Sequence, residues 1–97
     1  MKQFFLLHYG FETPTQEIMD AWNEWFASVG DKFVEAGNRF GLGREITPAG
    51  TKELPLDAEA ITGYSIIEAE SIEEAEKIAQ ACPSITSIRV YEVMSIP

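Results

Sequence analysis

The sequence predicts an α+β domain, an antiparallel sheet with two helices on one of its faces. Three observations predict it. The run Ile61–Ala69 has strand character and feeds directly into a short amphipathic helix stopped at Pro83. Near the N-terminus an apolar run, Lys2–Tyr9, precedes a longer stretch of helical period. The chain closes on β-branched and aromatic residues over Thr86–Ile96.

The unit from Ile61 to Pro83 is the clearest. Ser71-Ile72-Glu73-Glu74 has the form of a capping box: the Ser71 hydroxyl accepts from the Glu74 N–H, and the Glu74 carboxylate reaches back to the Ser71 N–H. Ile72, Ala75, Ile78, Ala79 and Cys82 then recur at helical spacing, so Ile72, Ala79 and Cys82 are expected to face the sheet. Pro83 ends the helix because it has no N–H to donate. In Lys2–Tyr9 the run Phe4-Phe5-Leu6-Leu7 lacks alternation, which predicts burial on both faces. Thr13 is the expected N-cap of the first helix, with Pro14 at its first position and Gln16 completing a capping box. Ile18, Trp22, Trp25, Phe26, Val29 and Phe33 carry the helical period to Ala36, and Gly37 is the expected C-cap. Gly30 falls inside that helix, where close approach to the sheet would explain it. Arg39–Thr47 is expected as the second strand, with Gly41 and Gly43 marking a bulge or close backbone approach. Pro48-Ala49-Gly50 is a turn, and Thr51–Ala60 has no clear period and reads as loop.

The resulting order, β-α-β-β-α-β, matches the ferredoxin-like split βαβ arrangement, with both helices on one sheet face. The other face then carries apolar residues that nothing covers, and a second copy of the same sheet is the expected partner.

Composition narrows the function. The 97 residues make one domain, expected over 1–97, with a single cysteine and so no internal disulfide. Seven basic against sixteen acidic residues give a net charge of −9, which speaks against nucleic acid as a partner. Phe4–Leu7 is far too short for a membrane span or a signal-peptide core, so a cytoplasmic, non-membrane protein is expected. Cys82 sits on an apolar stripe and is expected to be a reduced packing residue. No metal or phosphate-binding spacing is present, and Gly41-Leu42-Gly43 lacks both the third glycine and a following helix, so no metal or other cofactor is expected.

A few residues could carry chemistry. His8 is the only histidine and the candidate catalytic base, with Asp20, Glu12 or Asp57 as conceivable partners; the bland alternative is a strand-end histidine bonded to backbone. Arg44 and Arg89 could clamp a carboxylate ligand, although cross-strand pairing with Glu45, Glu68 or Glu92 is the favoured expectation. Trp22, Trp25, Tyr64 and Tyr91 could line an aromatic pocket, the tryptophans being more commonly core at this spacing.

The stretches KQFFLLHYG, EAGNRFGLG, ITPAG, ITGYSIIEAESIEEAEKIAQACP and SIRVYEV resemble the YCII-related proteins, in particular their DGPF-type branch. The resemblance runs over nearly the whole chain. It implies a dimeric α/β barrel, two ferredoxin-like protomers packed sheet to sheet. Relatives of this fold include small-molecule isomerases, dehalogenating enzymes and monooxygenases, so the resemblance implies a fold more firmly than an activity. Two departures stand out. The DGPF tetrapeptide is absent, its region reading ELPLDAEA, and the preceding hairpin looks shortened. Some family members pair a histidine on the first helix with an aspartate; here that helix carries Trp22, Trp25 and Phe26 and no histidine, so this dyad is not carried over. The expectation is therefore a homodimer that binds or acts on a small aromatic or carboxylated molecule, without cofactor, in a cleft between the sheet and the long helix. The alternative is a non-catalytic dimeric interaction or structural module.

Overall fold

Strand β1 (Lys2–Tyr9) lies at the centre of the sheet because its even residues and its odd residues are both apolar enough to be covered. The computed structural model describes residues 1–83 and 86–94. After β1 come α1 (Gln16–Val29), a short 3-10 turn (Gly30–Lys32), β2 (Phe33–Glu35), β3 (Gly43–Thr47), β4 (Gly50–Leu54), β5 (Ile61–Ala69), α2 (Ile72–Gln80) and β6 (Ser87–Glu92). The main sheet runs β2-β5-β1-β6 and is antiparallel throughout, while β3 and β4 form a separate two-stranded hairpin. This is the ferredoxin-like order with an arm inserted between the second and third sheet strands.

One face of the sheet is the core. Phe4, Leu6 and Ile67 are fully buried, and Trp25 and Val29 of α1 and Ala75 and Ala79 of α2 join them in one cluster. Both helices therefore cover the same face. Trp25 ties them together, its indole N–H donating to the Ile78 carbonyl of α2 at 3.0 Å. On the opposite face stand Phe5, Leu7 and Tyr9 of β1, Tyr64 and Ile66 of β5, and Arg89 and Tyr91 of β6, set there by the strand registers. Among the described residues no helix covers them, and the molecule measures only 18 Å along its shortest axis, the thickness of one sheet and one helix layer.

Several elements differ from the sequence expectation, each for a local reason. Helix α1 begins after Thr15, not Thr13, because the Thr15 hydroxyl accepts from the Ile18 N–H at 3.2 Å. It ends at Val29, where Gly30 takes φ 56° as C-cap and donates to the Phe26 carbonyl. Gly30 makes no close approach to the sheet. Phe33 keeps its packing against Trp25 and Phe26 from a strand rather than from the helix. The second sheet strand is thus β2, extended by a bridge from Arg39 to Gly63, and only the Gly43–Thr47 part of Arg39–Thr47 is a strand, paired in the hairpin. Its partner β4 occupies part of the expected loop, with Pro48 and Ala49 as the turn. Neither Gly41 nor Gly43 marks a close backbone approach. Gly37 does: at φ 93°, a Cβ there would stand 1.6 Å from the Tyr64 carbonyl oxygen. In α2, Ser71 accepts from the Glu74 N–H at 3.2 Å, but the Glu74 carboxylate accepts from Glu70 N–H rather than Ser71 N–H. Ala75, Ala79 and Cys82 face the sheet as expected; Ile72, in the first turn beyond the sheet margin, is half exposed. β6 closes at Glu92, and the part of the expected strand at 95–96 lies outside the described residues.

Gly37→Ala is expected to destabilise the fold by about 2 kcal/mol or more, since the new methyl meets backbone in a positive-φ conformation. Gly41→Ala, with open space around it, is the neutral control. Urea midpoints of the two variants at one protein concentration check the contrast.

Candidate functional site

Strand alternation sends His8 to the helix face beside Phe4 and Leu6, and there it is buried. Its ring meets Trp22 and Trp25 edge to face, with centroids 5.2 and 6.0 Å away. Its Nε2 lies 3.2 Å from the Ser65 hydroxyl, which in turn donates to the Ala36 carbonyl at 2.9 Å. A serine has one hydroxyl proton, and here it goes to Ala36. Nε2 must then carry the hydrogen, leaving Nδ1 to face the Cys82 thiol at 3.8 Å. None of Asp20, Glu12 and Asp57 partners the ring.

The electrostatics of this cluster follow from dryness. Burial lowers the His8 pKa from 6.5 to about 4 and raises that of Cys82 to about 12. Both groups stay neutral at pH 7, so His8 and Cys82 do not form the thiolate–imidazolium pair that nucleophilic chemistry needs. Neither ring nitrogen borders either of the two surface clefts described below.

The larger cleft lies elsewhere, with a volume of about 700 Å³. Three segments build it. Residues 38–40 run along the start of β5, held by Phe40 N–H to Thr62 O at 2.9 Å and Tyr64 N–H to Asn38 O at 3.3 Å. Residues 57–60 are fixed to the end of β1 by Gly10 N–H to Ala60 O at 2.8 Å and Phe11 N–H to Asp57 O at 3.0 Å. The β3–β4 hairpin rises between these two walls as an arm whose β4 residues are all exposed. Tyr9, Phe40, Leu42, Leu54, Leu56 and Ile61 supply apolar lining, and Arg39 and Arg44 supply positive charge. Those are two of the chain's three arginines. Three acidic residues also line the cleft: Glu45, which faces Lys52 at 3.9 Å, Asp57, whose carboxylate accepts from the Glu59 N–H at 2.9 Å, and Glu59 itself. Among the described residues neither Arg39 nor Arg44 is in an ion pair. The smaller cleft, about 190 Å³, lies at the hairpin turn.

The residues singled out from sequence therefore fall into three places. His8, Trp22 and Trp25 pack together on the helix face. Tyr64, Arg89 and Tyr91 stand on the open face: Tyr64 stacks on Phe5 and Phe40 at 5.4 and 5.6 Å and donates to Glu35, the bond that raises its pKa, while Arg89 lies 4.7 Å over the Tyr9 ring and Tyr91 is 52% exposed. Of the candidate catalytic and ligand-binding residues, Arg44 is the one that lines the larger cleft, beside Glu45 and Asp57. The sheet separates Trp22 and Trp25 from Tyr64 and Tyr91, so the four make no single aromatic pocket. The expected pairing of Arg44 and Arg89 with Glu45, Glu68 or Glu92 also does not form among the described residues, because lysines hold two of those carboxylates, Lys52 at Glu45 and Lys2 at Glu92. Ser65, Tyr9, Arg39 and Phe40 were missed. Ser65 left a signal, a lone hydroxyl between Gly63 and Ile67 on the buried alternation of β5; Arg39 and Phe40 left none, since only the bridge to Gly63 places them. Among the described residues no group of three or more His, Cys, Asp or Glu could hold a metal ion, and no helix is long and apolar enough to cross a membrane.

A family model for the YCII-related domain matches residues 4–97. The chain belongs to the YCII-related family. Among solved structures, this YCII-related chain is similar to a 5-chloro-2-hydroxyhydroquinone dehydrochlorinase (TftG) from Burkholderia phenoliruptrix AC1100, determined in complex with 2,5-dihydroxybenzoquinone. The TM-score is 0.56 at 18% identity, covering 95% of this chain and 93% of that one. That likeness is one of fold. No match is found among curated proteins.

The dry histidine makes stability depend on pH. The unfolded chain binds a proton on His8 near pH 6.5 and the native chain only near 4, so between those values the unfolded state holds more protons. Stability is expected to fall by on the order of 2 kcal/mol from pH 6.5 to 4.5 through this group alone. His8→Gln should remove that increment; urea titrations of both proteins at the two pH values measure it.

Proposed function

We propose that this YCII-related protein is a homodimer, packed sheet to sheet, that binds a small aromatic carboxylate in the cleft between the hairpin arm and the end of the sheet. The observation that carries the reading is the meeting of Arg39 and Arg44, neither ion-paired among the described residues, with Tyr9, Phe40 and four aliphatic side chains in one cleft. A guanidinium matches a carboxylate with two parallel hydrogen bonds, and the apolar walls suit a ring. The volume falls in the range of about 300–1,000 Å³ usual for small-molecule sites. The dehydrochlorinase of similar fold, named for a chlorinated hydroxyhydroquinone, supports a small aromatic compound as the kind of ligand this architecture accommodates. The expected position between sheet and long helix is filled by His8 and the tryptophan rings, which moves the proposed site to the arm and leaves His8 a packing role.

The dimer is supported by the open face, where Phe5, Leu7, Tyr9, Ile66 and Tyr91 gather without a covering layer. Tyr91 is exposed and the other four are half-buried, and a contiguous apolar patch of this kind suits a partner surface.

Benzoate and 4-hydroxybenzoate are expected to raise the melting temperature in a concentration-dependent way, since a ligand of the native state alone must stabilise it. Phenol, lacking the carboxylate, should do so more weakly. Arg44→Ala should weaken benzoate binding about tenfold by calorimetry while leaving the unliganded melting temperature near its original value, because Arg44 is exposed. Equal binding of benzoate by Arg44→Ala would sink the reading.

A further inference from the structure

We infer that the second copy is what closes the cleft, so that ligand binding and dimer formation strengthen each other. The inference rests on the proposed dimer and the proposed ligand and adds the coupling between them.

The cleft as one protomer builds it is open. Leu42 at its rim is fully exposed, and Leu54 and Leu56 are about half exposed. A site that binds a small molecule usually buries some 70–90% of it, which an open cleft of this kind does not do alone. The cleft is also continuous with the open sheet face. Tyr9 belongs to both: its ring lies under Arg89 on that face and borders the cleft. Phe40 does the same from the other wall, stacking on Tyr64 of the open face while lining the cleft. Whatever covers the face therefore abuts the mouth of the cleft.

Charge and area decide for a second copy of the chain. Helices α1 and α2 carry six acidic residues, Glu17, Asp20, Glu24, Glu73, Glu74 and Glu76, against the single cation Lys77. Five of the seven basic residues, Lys2, Arg39, Arg44, Lys52 and Arg89, lie on the sheet or the arm and its base. Two copies meeting through their sheets keep the acidic helix layers on opposite outer surfaces, the arrangement of least repulsion for a chain of net charge −9. The sheet face alone, with strands of 8, 9, 6 and 3 residues at about 3.4 Å rise and about 4.8 Å spacing, projects only roughly 400 Å². A stable interface takes about 800 Å² from each partner. The arm, exposed along β4 and bearing Ile46 at 78% exposure, is the surface at hand to supply the rest. An arm engaged by the partner is an arm held in place over its own cleft. By reciprocity, a ligand that favours the closed cleft must then tighten the dimer by the same factor as the dimer tightens the ligand.

Tyr91→Arg places a charge on the exposed far part of the open face, beside Phe5 and away from the cleft. The test measures the mass of the full chain by sedimentation over a dilution series, with and without saturating benzoate, and benzoate affinity by calorimetry, for the unsubstituted chain and for Tyr91→Arg. The expected result is a dimer whose dissociation constant falls at least tenfold with benzoate, and a monomeric, folded Tyr91→Arg that binds benzoate at least tenfold more weakly. Should Tyr91→Arg lose its circular-dichroism spectrum, the dilution series of the unsubstituted chain decides alone. A benzoate-independent dimer, or a monomeric Tyr91→Arg with undiminished affinity, overturns the coupling and leaves the ligand reading standing. A monomer that binds benzoate overturns the dimer and the coupling together. A dimer that binds no benzoate overturns the ligand reading and the coupling with it.

Discussion

The fold depends on how Trp25 is held. Its indole N–H reaches across to the Ile78 carbonyl at 3.0 Å, and its ring is met by Trp22, Phe26, Phe33 and His8. One side chain thereby fixes α1 to α2 and both to the sheet. A domain of this size has little apolar volume, and a large ring with a satisfied polar edge uses it well. Removing the N–H would leave the Ile78 carbonyl short of a partner, and removing the ring would open the contact between the helix layer and β1.

That packing has a chemical consequence. A helix layer pressed on the sheet by aromatic rings keeps water from the residues beneath it, and His8, Ser65 and Cys82 are all beneath it. Their hydrogen bonds are satisfied among themselves and with the Ala36 carbonyl, and no buried side-chain polar atom among the described residues lacks a partner. A satisfied network of neutral groups rigidifies a core. The same neutrality removes the thiolate and the imidazolium that a reactive pair would need.

The elements legible in the sequence were those whose signal is local. The Ser71 cap, the α2 period and the β1 run depend on a few neighbouring residues, and they stand nearly where the sequence puts them. Where α1 ends was hidden because Phe33 continues the helical period into a strand: it packs on Trp25 just as a helical residue would, so periodicity alone does not tell the two apart. β2 is short and owes its place to β5, a partner far along the chain. The arm was obscured because β4, Gly-Thr-Lys-Glu-Leu, buries nothing and so shows no alternation. Ile72 obeyed the period but not the burial, because a helix stripe runs past the edge of what it covers.

The candidate site was legible only in fragments, and strand geometry explains which. His8 and Tyr9 are neighbours in sequence, yet alternation puts them on opposite faces of one sheet. His8 enters a dry layer where its charge is suppressed. Tyr9 enters the open face, takes Arg89 over its ring and borders a cleft with two more arginines. Imidazole is the side chain best suited to proton transfer near neutrality, but that capacity is useful only where protons and ligands arrive. A guanidinium facing a wet cleft can offer a carboxylate two parallel hydrogen bonds, whereas the buried imidazole is held between Ser65 and Cys82. In this chain the proposed ligand groups are those on the side of the sheet that its own helices leave uncovered.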